Sequence, residues 1–515
     1  MPQQPTSHSQ SISQHYHQRT KYHPDTLAKA SHPLDFSQQP TPAKHYPIGV
    51  QVDLRPYLES MEAPEDPQQA QLYRLSRLLY LSYGITGVVP FPDNPFYLRS
   101  APSAGGLYPA EIYLLVRNHD FLPAGLYNYQ VQDHGLCRFW DSYLWSDLEA
   151  ACLWHPVLPH CGLALVITAV FERSAWRYRD RAYRRIFLDS GHLLGNLELA
   201  ANLQDYRVHL IGGFEDERLN DLLYLDEAQE GAVTVAALAD LLDIQQNLAL
   251  APTALPSLSF YDYPDIPDGE LLRYCHRATA IRSREVTYAN PAQPERNPSA
   301  WGDKYNFPFG LKISVASPPL DWGEGLRDLT QTLLRRRSTR RYSGASIHLD
   351  ELAALLNFTY HPEDYRDQLL EESPDYFDLS LVETFLAVID VRGLESGCYY
   401  YAVQAQELRQ IRFKNFRQEL HYLCLQQELG RDAAVVVFHT ADLHAAIAAY
   451  GDRAYRYLHL DAGHLGQRLN LAATQLQLGV SGIGGFFDDQ VNDLLGIPVE
   501  EAVLYVTTLG QPYSG

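Results

Sequence analysis

The sequence predicts an α+β fold in which two similar halves pack together as a pseudo-dimer within one chain. The chain has 515 residues, which exceeds the about 250–300 residues that one hydrophobic core accommodates. An internal repeat relates the two halves, and each half alternates segments of helical and strand patterning. We expect each half to combine an antiparallel-rich mixed sheet with flanking helices and one long buried central helix.

The repeat is clearest between YRDRAYRRIFLDSGHLLGNLELAA (178–201) and YGDRAYRYLHLDAGHLGQRLNLAA (450–473). His192 aligns with His464, which sets the offset at 464 − 192 = 272 residues. Two helices that merely share composition would not keep one offset over a long stretch, so the repeat indicates duplication. The same offset pairs Tyr127 with Tyr399, Gly213 with Gly485 and Asn220 with Asn492.

Both halves contain matching helix and strand segments. Apolar residues recur at helical spacing in LSRLLYLSYG (75–84) and LDELAALLNFTY (349–360). The strand candidates are AEIYLLVRN (110–118), LALVITAV (163–170), VETFLAVID (382–390) and AAVVVFHT (433–440). The long repeated segments are apolar nearly all round, which is typical of a buried helix. Their small residues, including Gly191 and Gly463, permit close helix–helix approach and so favour the pseudo-dimer.

The chain divides into four expected regions. Residues 1–45 form a tail and lead-in, and the Gln-, Ser- and His-rich start, to about residue 20, is expected to be disordered. The first half spans 46–245 and the second half spans 321–515. The Pro- and Tyr-rich connection, 246–320, lacks helical periodicity, and its aromatic residues favour packing against the halves over free movement.

Composition excludes several function classes. The formal net charge of −21 repels nucleic-acid phosphates and anionic lipid, so we expect neither as a partner. No apolar run is long enough for a spanning helix. The six cysteines show no metal-ligand spacing, which predicts reduced core thiols and no metal site. Because no secretory signal pattern is present, a cytoplasmic location is expected.

Two kinds of motif point to a ligand site. The segment RRRSTRR (335–341) contains five arginines and a serine, and guanidinium groups with a hydroxyl suit a phosphate monoester. Composition alone favours a solvated basic run, although five arginines within seven residues are harder to explain in this way in so acidic a chain. Gly-Gly turns occur in PSAGGLYP (102–109) and twice as IGGF (211–214 and 483–486). Such backbone can approach a flat ligand and donate N–H groups to it, although these turns also simply end helices.

Together these motifs resemble the nitroreductase superfamily, and in particular its SagB-type branch of FMN-dependent thiazoline and oxazoline dehydrogenases. The shared features are Arg-Arg-Ser-x-Arg-x-Tyr (336–342), Pro-Ser-Ala-Gly-Gly-Leu-Tyr-Pro (102–109) and a helix followed by Gly-Gly-Phe. The lead-in from Tyr22-His23-Pro24 to Tyr46-Pro47 is also similar. The resemblance covers nearly the whole chain and implies two tandem nitroreductase-like domains.

The resemblance implies an FMN site at the interface between the halves. In the superfamily the Arg-Arg-Ser segment and the Gly-Gly-Phe turn come from one subunit, and the Pro-Ser segment comes from the other. The implied contacts are Arg336, Arg337, Ser338 and Arg340 to the phosphate, ribitol and ring edge, Ile483, Gly484 and Gly485 near the flavin N5, and Pro102, Ser103, Ala104 and Gly105 from the other half.

The departures from the family pattern are asymmetric. At the 272-residue offset, PSAGGLYP maps onto PDYFDLSL (374–381), which has no glycine and two aspartates. Conversely, the first half has LESMEAPEDPQQAQ (58–71), without arginine, where the second half has its arginine cluster. We therefore expect one working FMN site per chain, built from the two retained motifs, and one dead site that faces carboxylates.

The azoline-oxidising relatives have a Lys-Tyr acid/base pair before the buried helix, and the matching residues here are Arg177 and Tyr178. Arginine stays protonated at neutral pH, so Tyr178 would act as the acid or base and Arg177 would orient an anionic substrate. The expected function is an FMN-dependent dehydrogenase or oxidase acting on an azoline or on another small or peptide-borne substrate. Two alternatives stay open: a catalytically impaired flavin-binding or scaffold subunit of a peptide-modifying complex, and an interaction module without FMN.

Overall fold

The computed structural model describes residues 8–25, 27, 34–60, 62–90, 95–117, 119–246, 248–282, 288, 302–308 and 310–513. The strands of the first half are β1 (Val50–Asp53), β2 (Ile85–Val89), β3 (Phe96–Arg99), β4 (Ala110–Val116), β5 (Gly125–Gln130), β6 (Gly135–Trp140), β7 (Leu163–Val170), β8 (Tyr206–Ile211) and β9 (Glu230–Asp240). Those of the second half are β10 (Lys312–Ser314), β11 (Ile347–His348), β12 (Glu383–Val388), β13 (Val391–Arg392), β14 (Gly397–Ala402), β15 (Glu407–Arg412), β16 (Val435–Asp442), β17 (Gly479–Ile483) and β18 (Glu501–Gly510).

The helices flank these strands. They are α1 (Ile12–Arg19), α2 (Pro56–Glu59), α3 (Pro67–Tyr83), α4 (Trp145–Ala151), α5 (Phe171–Tyr178), α6 (Ala182–Asn202), α7 (Asp216–Leu222), α8 (Leu271–Ala278), α9 (Arg327–Arg335), α10 (Leu349–Tyr360), α11 (Arg417–Leu423), α12 (Glu428–Asp432), α13 (Leu443–Tyr450), α14 (Ala454–Gln475) and α15 (Asp488–Leu495).

The two halves contain equivalent sheets. The first has the strand order β1-β6-β5-β4-β7-β9-β8, and the second has β10-β15-β14-β12-β16-β18-β17. Neighbouring strands of both sheets are antiparallel. Strands β5, β6 and β7 map onto β14, β15 and β16 at the 272-residue offset without a shift at either end. The predicted duplication and the α+β class are therefore confirmed.

Strand β4 shows why these strands are apolar at every position. Ile112 and Leu114 belong to the core that contains the central helices, whereas Tyr113 and Leu115 belong to a separate core on the opposite face of the sheet. Successive side chains of a strand point to opposite faces. A strand that is covered on both faces therefore loses the apolar–polar alternation of a half-exposed strand.

The central helices α6 and α14 form the middle of the interface between the halves. A Cβ atom on Gly191 would lie 2.2 Å from the Leu460 carbonyl oxygen, and one on Gly463 would lie 2.3 Å from the Leu188 carbonyl oxygen. Only glycine allows backbones to come this close. This geometry confirms the predicted close approach of the two helices and the intramolecular pseudo-dimer.

Buried ion pairs join the halves at both ends of this interface. Each consists of two arginines at the start of a central helix and one aspartate after the Gly-Gly-Phe turn of the other half. The pairs are Arg181 and Arg184 with Asp488, and Arg453 and Arg456 with Asp216, at distances of 2.5–2.8 Å. Because the carboxylates compensate these buried guanidinium groups, the removal of either aspartate would leave uncompensated charge in the core.

The prediction of a disordered start is wrong for the described residues before 20. Residues 12–19 form α1, whose Ile12 and Tyr16 side chains are fully buried. Tyr16 packs edge to face against one tyrosine from each central helix, with ring centroids 5.6 and 5.4 Å apart. Ser11 and Gln14 form a capping box. This Ser-x-x-Gln signal and the Ile12–Tyr16 spacing indicate a helix, although the polar composition around them suggests disorder.

The connection between the halves also contains a helix, α8, which its Pro-rich composition does not predict. Leu271 and Cys275 lie one helical turn apart and are both buried. Elsewhere in the connection Leu255 and Tyr263 are buried against the halves, as its aromatic content predicts. Apart from Tyr288, residues 283–301 lie outside the described part of the chain.

The cysteines are core residues, as predicted. All six are buried and unpaired. Burial raises the pKa of the Cys424 thiol to about 12, which keeps this thiol protonated and unreactive. Among the described residues, no helix combines the length and the apolar character that a membrane span requires.

Candidate active site

A cavity of about 550 Å³ lies at the interface between the halves. Most of the residues that the sequence predicts for cofactor binding, and both that it predicts for catalysis, line it. These are Pro102, Ser103, Ala104, Gly105, Arg177 and Tyr178 from the first half, and Ser338, Arg340, Ile483, Gly484 and Gly485 from the second. The fold thus brings the retained motifs of the two halves together in one place.

The first-half wall includes the loop 102–106, which follows β3. Asp189 of α6 holds this loop: its carboxylate accepts hydrogen bonds from the Ser103 hydroxyl at 2.6 Å and from the Ala104 N–H at 3.1 Å. Burial raises the pKa of Asp189 to about 7, although these hydrogen bonds act in the opposite direction. The loop is therefore fixed to the central helix before any ligand binds.

Two glycines in this loop have backbone conformations that other residues rarely adopt. Gly105 and Gly106 both have φ near +66°, where glycine is favoured because it lacks a Cβ atom. A Cβ atom on Gly105 would lie 2.9 Å from the Tyr178 hydroxyl, and one on Gly106 would lie 2.2 Å from the Phe96 ring. The Gly-Gly motif thus gives the loop its shape and keeps it close to Tyr178.

The second-half wall includes the turn that follows β17. Among the described residues, the backbone N–H groups of Gly484 and Gly485 form no hydrogen bond. Arg185 from the first half fixes the turn, since its Nη2 donates to the Gly484 carbonyl at 3.0 Å. Backbone N–H groups in folded proteins are nearly always paired, so these two are available donors at the cavity.

Arg336 and Arg337, in contrast, do not line the cavity. Arg336 is buried and donates to the carbonyls of Ser100 at 2.7 Å and Arg99 at 3.1 Å, just before the first-half loop. Arg337 donates to the Thr86 carbonyl at 2.7 Å. Both arginines thus hold the halves together behind the wall. One nitrogen of Arg336, Nη1, is buried and unpaired within the described residues. Their role as cofactor contacts stays a prediction.

The acid/base candidates lie on the first-half wall. The Arg185 guanidinium stacks on the Tyr178 ring, 3.7 Å from its centroid, and the Arg177 guanidinium is 5.7 Å from it. Burial raises the pKa of Tyr178, so this phenol holds its proton at neutral pH. Burial also acts to raise the pKa of Tyr22, but Arg185 and Arg181 outweigh it and lower that pKa below its ordinary value.

His192 lines the cavity, yet both nitrogens of its ring are hydrogen-bonded to residues of the second half. Its Nδ1 lies 2.9 Å from the Gln467 side-chain oxygen, and its Nε2 lies 2.8 Å from the Tyr505 hydroxyl. Burial lowers the pKa of His192 to about 3. A neutral ring with both nitrogens paired is a core histidine that joins the halves.

The symmetry-related position at the other end of the interface is filled. The Phe377 ring stacks on the Tyr457 ring, with centroids 4.9 Å apart and an angle of 11°. A Cβ atom on Gly212 would lie 2.5 Å from Phe377, and one on Gly213 would lie 2.6 Å from the Leu255 side chain. The first-half Gly-Gly-Phe turn is therefore packed against side chains where the second-half turn lines a cavity.

The backbone donors of this turn are also used. The N–H of Gly212 donates to the Thr253 carbonyl at 2.7 Å, and the N–H of Gly213 donates to the Tyr288 hydroxyl at 2.9 Å. Both acceptors belong to the connection. The two N–H groups that are available at one end of the interface are thus paired within the chain at the other end.

The expectation that this second site faces carboxylates is wrong. Asp375 accepts a hydrogen bond from the Leu210 N–H at 2.9 Å, and Asp378 accepts one from the Tyr450 hydroxyl at 3.0 Å. The residue that fills the site is Phe377, which occupies the position of Gly105 at the 272-residue offset. An aromatic ring in place of a glycine fills the space directly.

Several cavity residues escape prediction from the motifs. Tyr22, Arg185 and Asp189 line the cavity. They lie in the lead-in and in the repeated helix segment, but none of them is among the site residues that the sequence predicts. The sequence does contain a signal for Arg185. Its counterpart in the other copy is Tyr457, and this difference stands out within an otherwise similar segment. Asp189 corresponds to Asp461, which holds the equivalent loop through the Phe377 and Asp378 N–H groups.

Comparisons with known proteins agree with this architecture. The pattern of the Nitroreductase family matches residues 65–237 and 333–511. Two putative nitroreductases are similar to this chain. The solved structure of one, from Anabaena variabilis, is 61% identical, with a TM-score of 0.93 over 98% of this chain and 100% of that one. The other, from Methanocaldococcus jannaschii, is 31% identical over 169 residues, which are 33% of this chain and 84% of that protein.

A third relative is the trifolitoxin-processing protein TfxB from Rhizobium leguminosarum bv. trifolii. It is 32% identical over 146 residues, which are 27% of this chain. The matched stretch spans only 39% of the length of TfxB. The similarity to TfxB thus concerns one domain-sized region.

Proposed function

Because the chain belongs to the nitroreductase family, a family of oxidoreductases, we propose that it is an FMN-dependent oxidoreductase with one composite FMN site per chain. One observation carries this proposal: the Gly-Gly loop of the first half and the Ser338, Arg340 and Ile483–Gly485 segments of the second half surround a single cavity of about 550 Å³. The equivalent position at the other end of the interface is packed with side chains.

The residues present fit this cofactor. The unpaired N–H groups of Gly484 and Gly485 are donors for a flat polar ring. Ser338 and Arg340 offer a hydroxyl and a guanidinium group, which suit a phosphate or ribitol. Pro102–Gly105 would close the site from the other half. When bound, FMN supplies a ring that accepts and returns electrons, and the chain supplies its orientation and the access to it.

Around that site the chain supplies proton transfer and charge. Tyr178 keeps its proton at neutral pH because burial raises its pKa, so it serves as the donor to a reacting group. Arg177 is exposed at the cavity and attracts or orients an anionic group. The similarity to TfxB, which processes trifolitoxin, supports a peptide-borne substrate and a place in a peptide-modifying complex, as in the SagB-type dehydrogenases.

One observation favours the alternative of a flavin-binding subunit without turnover. Arg177 stands where the azoline-oxidising relatives have lysine, and arginine does not release a proton at neutral pH. If proton transfer requires the lysine, the chain would bind FMN and act as a scaffold.

Turnover of the FMN-loaded chain distinguishes the oxidoreductase from the scaffold subunit. The measurement is oxidation of NADH or NADPH with oxygen, a quinone or a nitroaromatic compound as acceptor. We expect catalytic turnover, and a loss of at least about 100-fold in Tyr178→Phe, since general acid catalysis contributes about 10²–10⁴-fold. The matched control is Tyr450→Phe, the counterpart in the other half. Bound flavin without turnover supports the scaffold, and a chain that binds no FMN contradicts both.

A further inference from the structure

Arg185 is a buried cation at the cavity that forms no salt bridge with the described residues. It is 5% exposed, and its Nη1 has no hydrogen-bond partner among the described residues. Its neighbours Arg181, just before α6, and Arg184 both pair with Asp488, whereas no carboxylate lies within ion-pair distance of Arg185 in the described part of the chain. The Asp189 carboxylate, one helical turn further along α6, interacts with Arg185 only at longer range, and the Arg185 charge acts to lower the Asp189 pKa. Burying a charge without a partner is costly. The position therefore makes sense if an anion completes it.

The cavity wall as a whole is positive. Arg177, Arg185 and Arg340 line it, and Asp189 is the acidic residue among its lining residues. The Asp189 carboxylate already accepts hydrogen bonds from Ser103 and Ala104, and its pKa, raised by burial to about 7, leaves it partly protonated at neutral pH. In a chain with a net charge of −21, a local excess of guanidinium groups selects for anions.

Arg185 is also held rigidly in a polar setting. Its guanidinium stacks on Tyr178 at 3.7 Å and donates to the Gly484 carbonyl at 3.0 Å. The hydroxyl-bearing side chains Tyr22 and Tyr178 line the same part of the cavity. A guanidinium group with two phenols nearby matches the bidentate and single hydrogen bonds that a carboxylate accepts.

The repeat supports a ligand role for this position. At the filled end of the interface the counterpart of Arg185 is Tyr457, whose hydroxyl is within hydrogen-bond distance of the Gly212 and Leu255 carbonyls. Where the chain fills its own site, the position holds a residue that packs within the protein. Where the site is a cavity, the position holds an arginine that has no ion pair with the described residues.

We propose that Arg185 binds a carboxylate of the substrate, with Tyr22 and Tyr178 as neighbouring hydrogen-bond donors and Arg177 as the exposed cation that attracts the anion. This inference rests on the proposed function, because Arg340 and Ser338 are assigned to the cofactor phosphate and ribitol there, which leaves Arg185 and Arg177 for the substrate. The substrate class is therefore a carboxylate-bearing small molecule or peptide.

The test uses the FMN-loaded full chain and a pair of isosteric probes. Benzoate carries the carboxylate and benzamide is its neutral counterpart; each is titrated while the absorbance of the bound flavin is followed. We expect a saturable benzoate response, and benzamide at least 10-fold weaker. Arg185→Met should weaken benzoate binding at least 10-fold while it retains the flavin. Arg185→Lys should recover part of the affinity, because it keeps the charge.

Two variants serve as controls. Arg177→Gln should weaken benzoate less than Arg185→Met does, because Arg177 is exposed and screened by solvent. Arg327→Met, at a side chain that is 70% exposed and pairs with its neighbour Asp328, should leave the benzoate affinity unchanged.

The contradicting outcomes are distinct. Equal affinity for benzoate and benzamide, or unchanged benzoate affinity in flavin-loaded Arg185→Met, would overturn the carboxylate site and leave the proposed function standing. The carboxylate site would also be overturned if Arg185→Met releases the flavin or changes only the reduction potential of the flavin, since Arg185 would then serve the cofactor. It would likewise be overturned if Arg185→Met weakens only the binding of NADPH, since the anion that Arg185 binds would then be a pyrophosphate. A wild-type chain without flavin would instead contradict the proposed function and, with it, this inference.

Discussion

At one end of the interface between the halves Arg185 lines an open cavity, whereas at the other end its counterpart Tyr457 stacks on Phe377. The scaffold around both positions is the same: an aspartate on each central helix holds the adjacent loop, and each Gly-Gly-Phe turn follows a strand of the same order in the sheet. The ends differ in a few side chains. At one end these side chains fill the space between the shared parts, and at the other end they leave it open.

The difference shows how a duplicated domain divides its functions. Two identical copies would form two equivalent sites, one at each end. Here Phe377 replaces Gly105, and the connection supplies Leu255 and Tyr288 to the first-half turn. One end has thus become part of the core, and the other end keeps the features of a ligand site. The following predictions test this comparison, beginning with the largest expected effect.

Replacement of the side chain that fills the closed end should affect stability and not flavin content. Phe377 is fully buried and stacked on Tyr457, so Phe377→Ala should lower the free energy of unfolding by about 3–5 kcal/mol. Urea unfolding at a fixed FMN concentration measures this. The control is Phe413→Ala, at a side chain that is 68% exposed. The number of flavins per chain should not rise, because the connection still occupies the turn; a second bound flavin would show that Phe377 alone closes the site.

A side chain added at the open end should block the cofactor. A Cβ atom on Gly484 would already lie 3.0 Å from the Arg185 Nε atom, and the rest of a valine side chain would extend into the space that a ligand needs. Gly484→Val should therefore weaken FMN binding at least about 100-fold, or about 2.7 kcal/mol. Equilibrium dialysis measures the affinity.

Gly302→Val is the matched control, because no atom of the described residues lies within 4 Å of a Cβ atom there. Unchanged FMN affinity in Gly484→Val would mean that the flavin does not use this cavity.

The two loop-holding aspartates should give the same pH dependence of stability but different effects on the cofactor. Burial raises the pKa of both Asp189 and Asp461 to about 7. An unfolded aspartate titrates near about 3.9, so this contribution to stability is complete below about pH 4 and is lost as the pH rises through about 7. Asp189→Asn or Asp461→Asn should therefore make the fall in unfolding free energy over that range shallower, by up to about 1.4 kcal/mol per pH unit.

Only Asp189→Asn should also weaken FMN binding, because Asp189 holds the loop at the cavity, whereas Asp461 holds the loop at the filled end. Urea unfolding between pH 4 and 8 and an FMN titration at pH 7 check the two parts. An equal loss of FMN affinity in both variants would contradict the difference between the ends.

The smallest expected effect concerns a single hydroxyl. Ser338 lines the cavity, and the loss of one hydrogen bond costs about 0.5–1.5 kcal/mol. Ser338→Ala should therefore weaken FMN binding about 2–10-fold. Ser343→Ala is the comparison, since that exposed hydroxyl lies outside the cavity and is hydrogen-bonded to the Gln511 carbonyl at 3.3 Å and the Ala345 N–H at 3.2 Å. Fluorescence titration of FMN measures both, and equal affinities would place the phosphate or ribitol elsewhere.

The features that the sequence predicts correctly depend on local or repeated patterns. The 272-residue offset aligns β5, β6 and β7 with β14, β15 and β16 and the start of α6 with that of α14, and glycines at 105, 191 and 463 lie where backbone geometry requires them. The retained motifs also meet in one cavity. These features can be predicted because periodicity, repetition and the positions of glycines can be read from the sequence alone.

The features that escape prediction depend on contacts between distant segments. Arg336 and Arg337 point to the Thr86 and Ser100 regions, because the fold places those segments next to them. Leu255 and Tyr288 close the second site from a connection whose composition suggests only packing. The lack of an ion pair at Arg185 is likewise visible only when its described neighbours are known. Helix α1 escapes prediction because polar residues surround its few apolar positions.

The ratio of flavin to chain tests the central claim most directly. The purified full-length chain is loaded with excess FMN and freed of unbound cofactor, and the flavin released on denaturation is then quantified against protein measured by amino-acid analysis. An open end and a filled end predict a ratio close to one. A ratio close to two would contradict the asymmetry between the ends, and a ratio close to zero would contradict the assignment of the cavity to FMN.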